Sequence, residues 1–302
     1  MVNNKENLVD TISEAEFEFA KPEIFSHLSW LNYTETRHIP DNDLTGNVST
    51  SPRVLNEEKF LALKPDGISY EDWLIDQKAL AIARLSIIQE SGGFDKIGHP
   101  LAVHDTSLIN LDADIDSVDY TKPRANATQA DITLLSTPGT ASMIAPADCA
   151  IATIAFPEEK AVGQIHIGFQ GAEKDIVSKA LLEFQKAGLD TTKALIYISP
   201  HVQTGFPLAD TEQRAIHDDL LEHASNEMRG IIEGNTDTSG VWPEVYLTQM
   251  VLDEFEKNGI DKNQVEVSPI DTFSDPKVFS EYKGRTDQKA DGRFAVVVGI
   301  KK

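Results

Sequence analysis

The stretch from Ala147 to Gly171 constrains this chain more than any other part of it. Two apolar runs, Ala150 to Phe156 and Ala161 to Ile167, flank the polar tetrapeptide Pro157-Glu158-Glu159-Lys160. The runs have strand length and β-branched content, and the tetrapeptide reads as a tight turn, so the predicted unit is a β-hairpin. A turn centred between Glu158 and Glu159 sets Ile151 opposite His166 and Cys149 opposite Gly168. Side chains on one face of a strand recur at every second residue. Cys149 and His166 therefore project from the same face as diagonal neighbours. Such neighbours stand roughly 7–8 Å apart at the backbone, which lets a thiolate and an imidazole reach a common point.

A third donor would complete a centre with one open position, the arrangement of catalytic zinc sites. His104 is the natural candidate: it ends the apolar run Leu101-Ala102-Val103 and precedes Asp105. One thiolate with two imidazoles suits zinc, and copper as the alternative. Two other readings of the same residues stay open. Without a metal, Cys149 would be a nucleophile and His166 its base, as in cysteine hydrolases. A non-catalytic protein that keeps the pocket and binds a ligand is the other. Asp148 is placed to steer a ligand histidine or to cap a local turn. His201, after the strand Ala194 to Ile198, reads as an exposed loop histidine.

The surrounding pattern mixes strands and helices without strict alternation, which favours α+β over a doubly wound parallel sheet. Tyr70 to Gln89 carries apolar residues at helical spacing and stops at Gly92-Gly93. Ala172 to Ala187 is a second predicted helix, with Ile176, Val177, Ala180, Leu181 and Phe184 on its apolar face. Pro243 to Asn258 is a third, bounded by its proline and by Gly259. Pro100 to His104, Ile132 to Leu135, Ala194 to Ile198, Val265 to Val267 and Phe294 to Ile300 read as strands, and Trp30 to Arg53 as loops and short strands. Residues 1–25 read as a tail or edge extension. Residues 26–302 read as one domain, with an acidic insertion at about 209–235 that carries His217 and His223.

Composition narrows the function classes. With 49 acidic and 27 basic residues the net charge is -22. A chain this acidic repels phosphate backbones and anionic lipid surfaces, so neither nucleic acid nor membrane is an expected partner. A single cysteine excludes an internal disulfide, and the N-terminus lacks the apolar run of a signal peptide. The expected compartment is the cytoplasm and the expected partner a small molecule.

The segments around His104, Cys149 and His166 resemble those of the multicopper polyphenol oxidase family, also called the laccase-domain or purine nucleoside phosphorylase family. The resemblance rests on Val103-His104, Ala147-Asp148-Cys149 and His166-Ile167-Gly168-Phe169-Gln170-Gly171. Further on it rests on Ser199-Pro200-His201-Val202-Gln203, Asp275-Pro276, Phe279-Ser280-Glu281-Tyr282 and the strand Phe294 to Ile300, and it spans about Thr45 to Lys302. It implies His104, Cys149 and His166 as metal ligands, and two packed mixed or antiparallel sheets flanked by helices in α-β-β-α layers. It also implies phosphorolysis of purine nucleosides or adenosine deamination, with phosphate a possible co-substrate. Copper oxidation of phenols is the weaker implication, because multi-copper oxidases hold several copper centres on many histidines and this chain has 8.

Two departures bear on the chemistry. Gln170 stands where the family has Arg, and an amide cannot replace a guanidinium that forks onto an anion. Phe169 replaces a Trp, keeping a stacking surface without its donor. Arg53 corresponds to an early family Arg, while Phe60 to Leu63 lacks the family's Asn and Gln203-Thr204-Gly205 fills the place of its later cysteines.

Overall fold

The computed structural model describes residues 12, 16–18, 22–36, 48, 67, 69–118, 128–203, 247–281 and 292–302. Arg53, Phe60 to Leu63, the 209–235 segment with His217 and His223, residues 243–246 and Tyr282 lie outside them. Along the chain the strands are β1 (Phe17–Glu18), β2 (Leu31–Thr36), β3 (Lys96–Gly98), β4 (Leu108–Asn110), β5 (Ile132–Leu135), β6 (Thr140–Ile144), β7 (Ala150–Phe156), β8 (Ala161–Ile167), β9 (Leu195–Ile198), β10 (Val265–Val267) and β11 (Val296–Ile300). The helices are α1 (Tyr70–Gly92), α2 (Leu111–Asp114), α3 (Phe169–Glu173), α4 (Ile176–Lys186) and α5 (Leu247–Lys257).

β7 and β8 pair antiparallel with Ile151 opposite His166, the register set by the turn. Both strands are buried along their whole length, and a strand buried on both faces needs a layer on each side. Ala150, Ala152, Ile154 and Phe156 face α4 and α5, whereas Ile151 and Ala155 face the other sheet of the molecule. The first sheet has the order β1-β2-β11-β6-β3 and the second β10-β9-β7-β8-β5-β4, each mixing parallel and antiparallel pairs. Leu85 and Ile88 of α1 cover the outer face of the first sheet against Ile97, Met143 and Val297. The layers therefore run helix, sheet, sheet, helix, as the resemblance implied.

The structure departs from the predicted elements at several points. Pro100 to His104 is not a strand beyond one bridge from Leu101 to Gln129, because the backbone N–H groups of Val103 and His104 donate to a side-chain carboxylate instead of a ladder. The helix expected over Ala172 to Ala187 begins at Phe169 and breaks at Asp175, whose φ of 53° is left-handed. The short strands β3, β4 and β6 were not anticipated. Three-residue runs leave no periodicity to read, and the β6 sequence Thr-Ala-Ser-Met-Ile does not alternate although all of it is buried.

The five apolar positions of α4 named above are all buried. Phe184 meets Phe156 edge-on, with ring centroids 5.4 Å apart. Gly163 of β8 makes room for it, since a Cβ there would lie 2.5 Å from Phe184 Cζ. Phe184→Ala is expected to cost about 3–5 kcal/mol, read as a lower urea midpoint with little change in slope. Glu254 of α5 packs against α4, where its Oε1 accepts from Ser178 N at 2.9 Å and Ser178 Oγ at 3.1 Å. Burial raises its pKa, helped by the charge of Asp175 and opposed by the Ser178 bonds. A carboxyl raised on folding holds its proton more tightly in the native state, so its contribution to stability falls as pH climbs above the ordinary carboxyl value. Glu254→Gln is thus expected to gain stability relative to wild type between about pH 4 and about pH 7, measured by urea unfolding at both.

Candidate metal centre

Three elements converge at one end of the second sheet. Cys149 immediately precedes β7, and His166 is the penultimate residue of β8. Gln164, two residues before His166 and on the same face, donates from Nε2 to Val296 O at 3.2 Å, so this face looks toward the first sheet. His104 reaches the same point from the irregular segment after Leu101. One donor atom from each of His104, Cys149 and His166 lies within 4.8 Å of the others. His166 is buried, and the other two are half-buried. The imidazole centroids are 4.9 Å apart. Among the described residues this is the cluster of metal-ligating side chains.

Gly168 shapes the cluster by lacking a side chain. A Cβ there would stand 2.7 Å from His104 Nδ1 and 3.0 Å from Cys149 Sγ. The sequence pairs Gly168 with Cys149 across the hairpin, and that proximity holds in the fold.

The residue that sequence reasoning missed is Asp131. It immediately precedes β5, opposite His166, whose N–H donates to Asp131 O at 2.8 Å. Its fully buried carboxylate lies 2.8 Å from His166 Nδ1. The same carboxylate accepts from three consecutive backbone N–H groups: Val103 (3.1 Å to Oδ2), His104 (3.0 Å to Oδ1) and Asp105 (3.0 Å to Oδ2). His104 takes φ 60° there, a left-handed conformation uncommon outside glycine. Lys174, just after α3, donates to His104 O at 2.8 Å and sits 3.6 Å from Asp105.

Charges in the site are coupled. Burial alone would lower the His166 pKa. The charge of Cys149 and hydrogen bonds to Asp131 and Cys149 outweigh it and raise the value to about 9. Burial and then the His166 charge lower His104, against the pull of Asp131 and Glu281. Burial would raise the Asp131 carboxyl, but its bonds from His166, Asp105 and Val103 hold it below the ordinary range. Glu281 forms a 2.6 Å ion pair with Arg293.

The remaining expected residues lie as follows. Asp148 Oδ1 accepts from Thr272 Oγ1 at 2.8 Å, and the carboxylate on the His166 ring is that of Asp131. Phe169 is half-buried against the core beneath α4, and Gln170 is exposed in the first turn of α3. His201 is fully buried, contrary to its reading as an exposed loop residue. Its ring bridges Ser199 O and Thr248 Oγ1, both at 2.7 Å, which joins the end of β9 to α5.

A two-sheet, four-layer protein with a His-Cys-His cluster able to take a metal is the class that fold and site define. The family model of multi-copper polyphenol oxidoreductase laccase matches residues 72–301, and the chain belongs to that family. The fold is similar to that of the Bacillus licheniformis hypothetical protein YfiH, with TM-score 0.68 and 15% identity over 90% of this chain and 93% of that one. It is likewise similar to YlmD from Geobacillus stearothermophilus, with TM-score 0.69 and 15% identity over 94% and 99% of the two chains. The Neisseria meningitidis protein NMB0706 gives a TM-score of 0.63 at 15% identity, over 95% of this chain and 100% of its own. No curated protein matches the sequence.

Replacing Asp131 by alanine would leave three backbone donors and a buried imidazole without their acceptor. Asp131→Ala is expected to cost about 3–5 kcal/mol, measured by urea unfolding.

Proposed function

We propose that this chain is a metal-dependent enzyme acting on purine nucleosides, with His104, Cys149 and His166 holding zinc, or alternatively copper. The observation that carries the reading is the convergence of these three donors within 4.8 Å. Donors sharing a tetrahedral zinc lie about 3.3–3.8 Å apart, so the side chains need only a small closure. The missing Cβ at Gly168 leaves room beside two of them. A thiolate and two imidazoles on three ligand positions match the donor set of an open catalytic zinc site. Bound there, zinc would supply a water activated for attack at neutral pH.

Among the described residues, those around the cluster favour water over phosphate as co-substrate. Lys174 is engaged with His104 O and Asp105, Arg293 with Glu281, and Gln170 is neutral. Phosphorolysis calls for a cation held toward the anion. Deamination does not: water adds at the purine carbon that bears the amine, and ammonia leaves. We therefore favour adenosine deamination over phosphorolysis.

A second reading has its own support. The raised pKa of His166 beside Cys149 suits a thiol nucleophile with an imidazole partner and no metal. The two readings part on metal content. The expected outcome is one equivalent of zinc in the purified protein, lost in both Cys149→Ala and His166→Ala, by elemental analysis. Adenosine should then yield inosine and ammonia without added phosphate. No zinc uptake after supplementation, together with activity blocked by alkylation of Cys149, would establish the thiol reading instead.

A further inference from the structure

Two of the three converging side chains depend on one carboxylate that belongs to neither of their segments. Asp131 lies beside the His166 ring through Nδ1 and holds Val103, His104 and Asp105 by their backbone N–H groups. We infer that Asp131 is the positioning residue of the centre: it fixes the His166 tautomer and the left-handed His104 backbone as one unit, so that both imidazoles are set before a metal arrives. This rests on the metal reading above.

The case is geometric. With Nδ1 on Asp131, the His166 nitrogen left to face Cys149 and His104 is Nε2. An Asp131 carboxylate accepts only, so the neutral ring carries its proton on Nδ1 and presents the Nε2 lone pair. On the other side, three successive N–H groups converge on an anion as in a backbone nest. That nest stabilises the φ of 60° at His104, which would otherwise be strained. Lys174 holds the His104 carbonyl from outside, so the segment is fixed by both its donors and its acceptor. The Asp131 backbone is itself tied, its N–H to Ser107 O at 3.1 Å and its carbonyl to His166 N. A change at Asp131 therefore acts on the His104 side and the His166 side together.

Asp112 is the control, a carboxylate at the far end of β5. It accepts from Ser136 N, Ser136 Oγ and Thr137 N at 2.7–2.9 Å and shapes a turn away from the centre. Cobalt(II) titration with chelator competition is the measurement, on wild type, Asp131→Asn, Asp131→Glu and Asp112→Asn. Asp131→Asn and Asp131→Glu are expected to weaken cobalt binding about 10–100-fold and to alter the thiolate-to-cobalt absorption band. Asp112→Asn should lower the melting temperature yet bind cobalt as wild type does. Wild-type affinity and spectrum in both Asp131 variants would overturn the inference.

If neither Asp131 variant folds, nitrogen-15 imidazole spectra of the zinc-loaded wild type decide: a proton on His166 Nδ1 supports the role, and an unprotonated Nδ1 overturns it. A wild type that takes up neither metal ends the metal reading. The same Nδ1 test on metal-free protein, run well above pH 9 where the His166 ring is neutral, then judges Asp131 separately.

Discussion

The antiparallel register of β7 and β8 ties the layering of this molecule to its chemistry. A strand has two faces, and here each is claimed: one by α4 and α5, the other by the first sheet. Slipping the pair by one residue would turn every apolar side chain of a strand to the wrong layer. The same slip would send His166 under the helices and away from Cys149. Core packing thus enforces the alignment of the two donors, and the reactive groups add no separate demand on that register.

What was legible in the sequence follows from the range over which each feature is determined. The hairpin could be read because a four-residue turn fixes its register locally. The apolar face of α4 could be read because helical periodicity is also local. Asp131 could not, because its place opposite His166 depends on β5 pairing with β8, strands with β6 and β7 between them and no tight turn to set their alignment. The available signal was an Asp directly before an apolar strand, which usually means only a turn. The left-handed backbone at His104 was hidden as well, since nothing in Val103-His104-Asp105 announces a nest whose anion lies 26 to 28 residues away. His201 misled for a related reason: a polar residue after a strand end reads as solvent-facing until the strand and α5 that enclose it are known.

Burial in the centre is uneven in a way that suits a metal. The carboxylate and the imidazole it meets are buried, while Cys149 and His104 are half-buried. The deep part is fixed by hydrogen bonds, and the shallow part is partly open to solvent. Family membership and fold likeness set the frame for this geometry. The departures at Phe169 and Gln170 leave the three donors intact.

The position of β11 has a consequence for how the chain comes together. It lies between β2 and β6 and pairs antiparallel with both, yet it is made from residues 296–300. During vectorial synthesis β2 and β6 emerge long before the strand that joins them. Until then each keeps an open edge, with its ladder donors and acceptors facing water. The second sheet gains its central hairpin much earlier, and with it Cys149 and His166. Every described strand of the sheet that carries Cys149 and His166 is therefore synthesised before the strand that closes the sheet backing it.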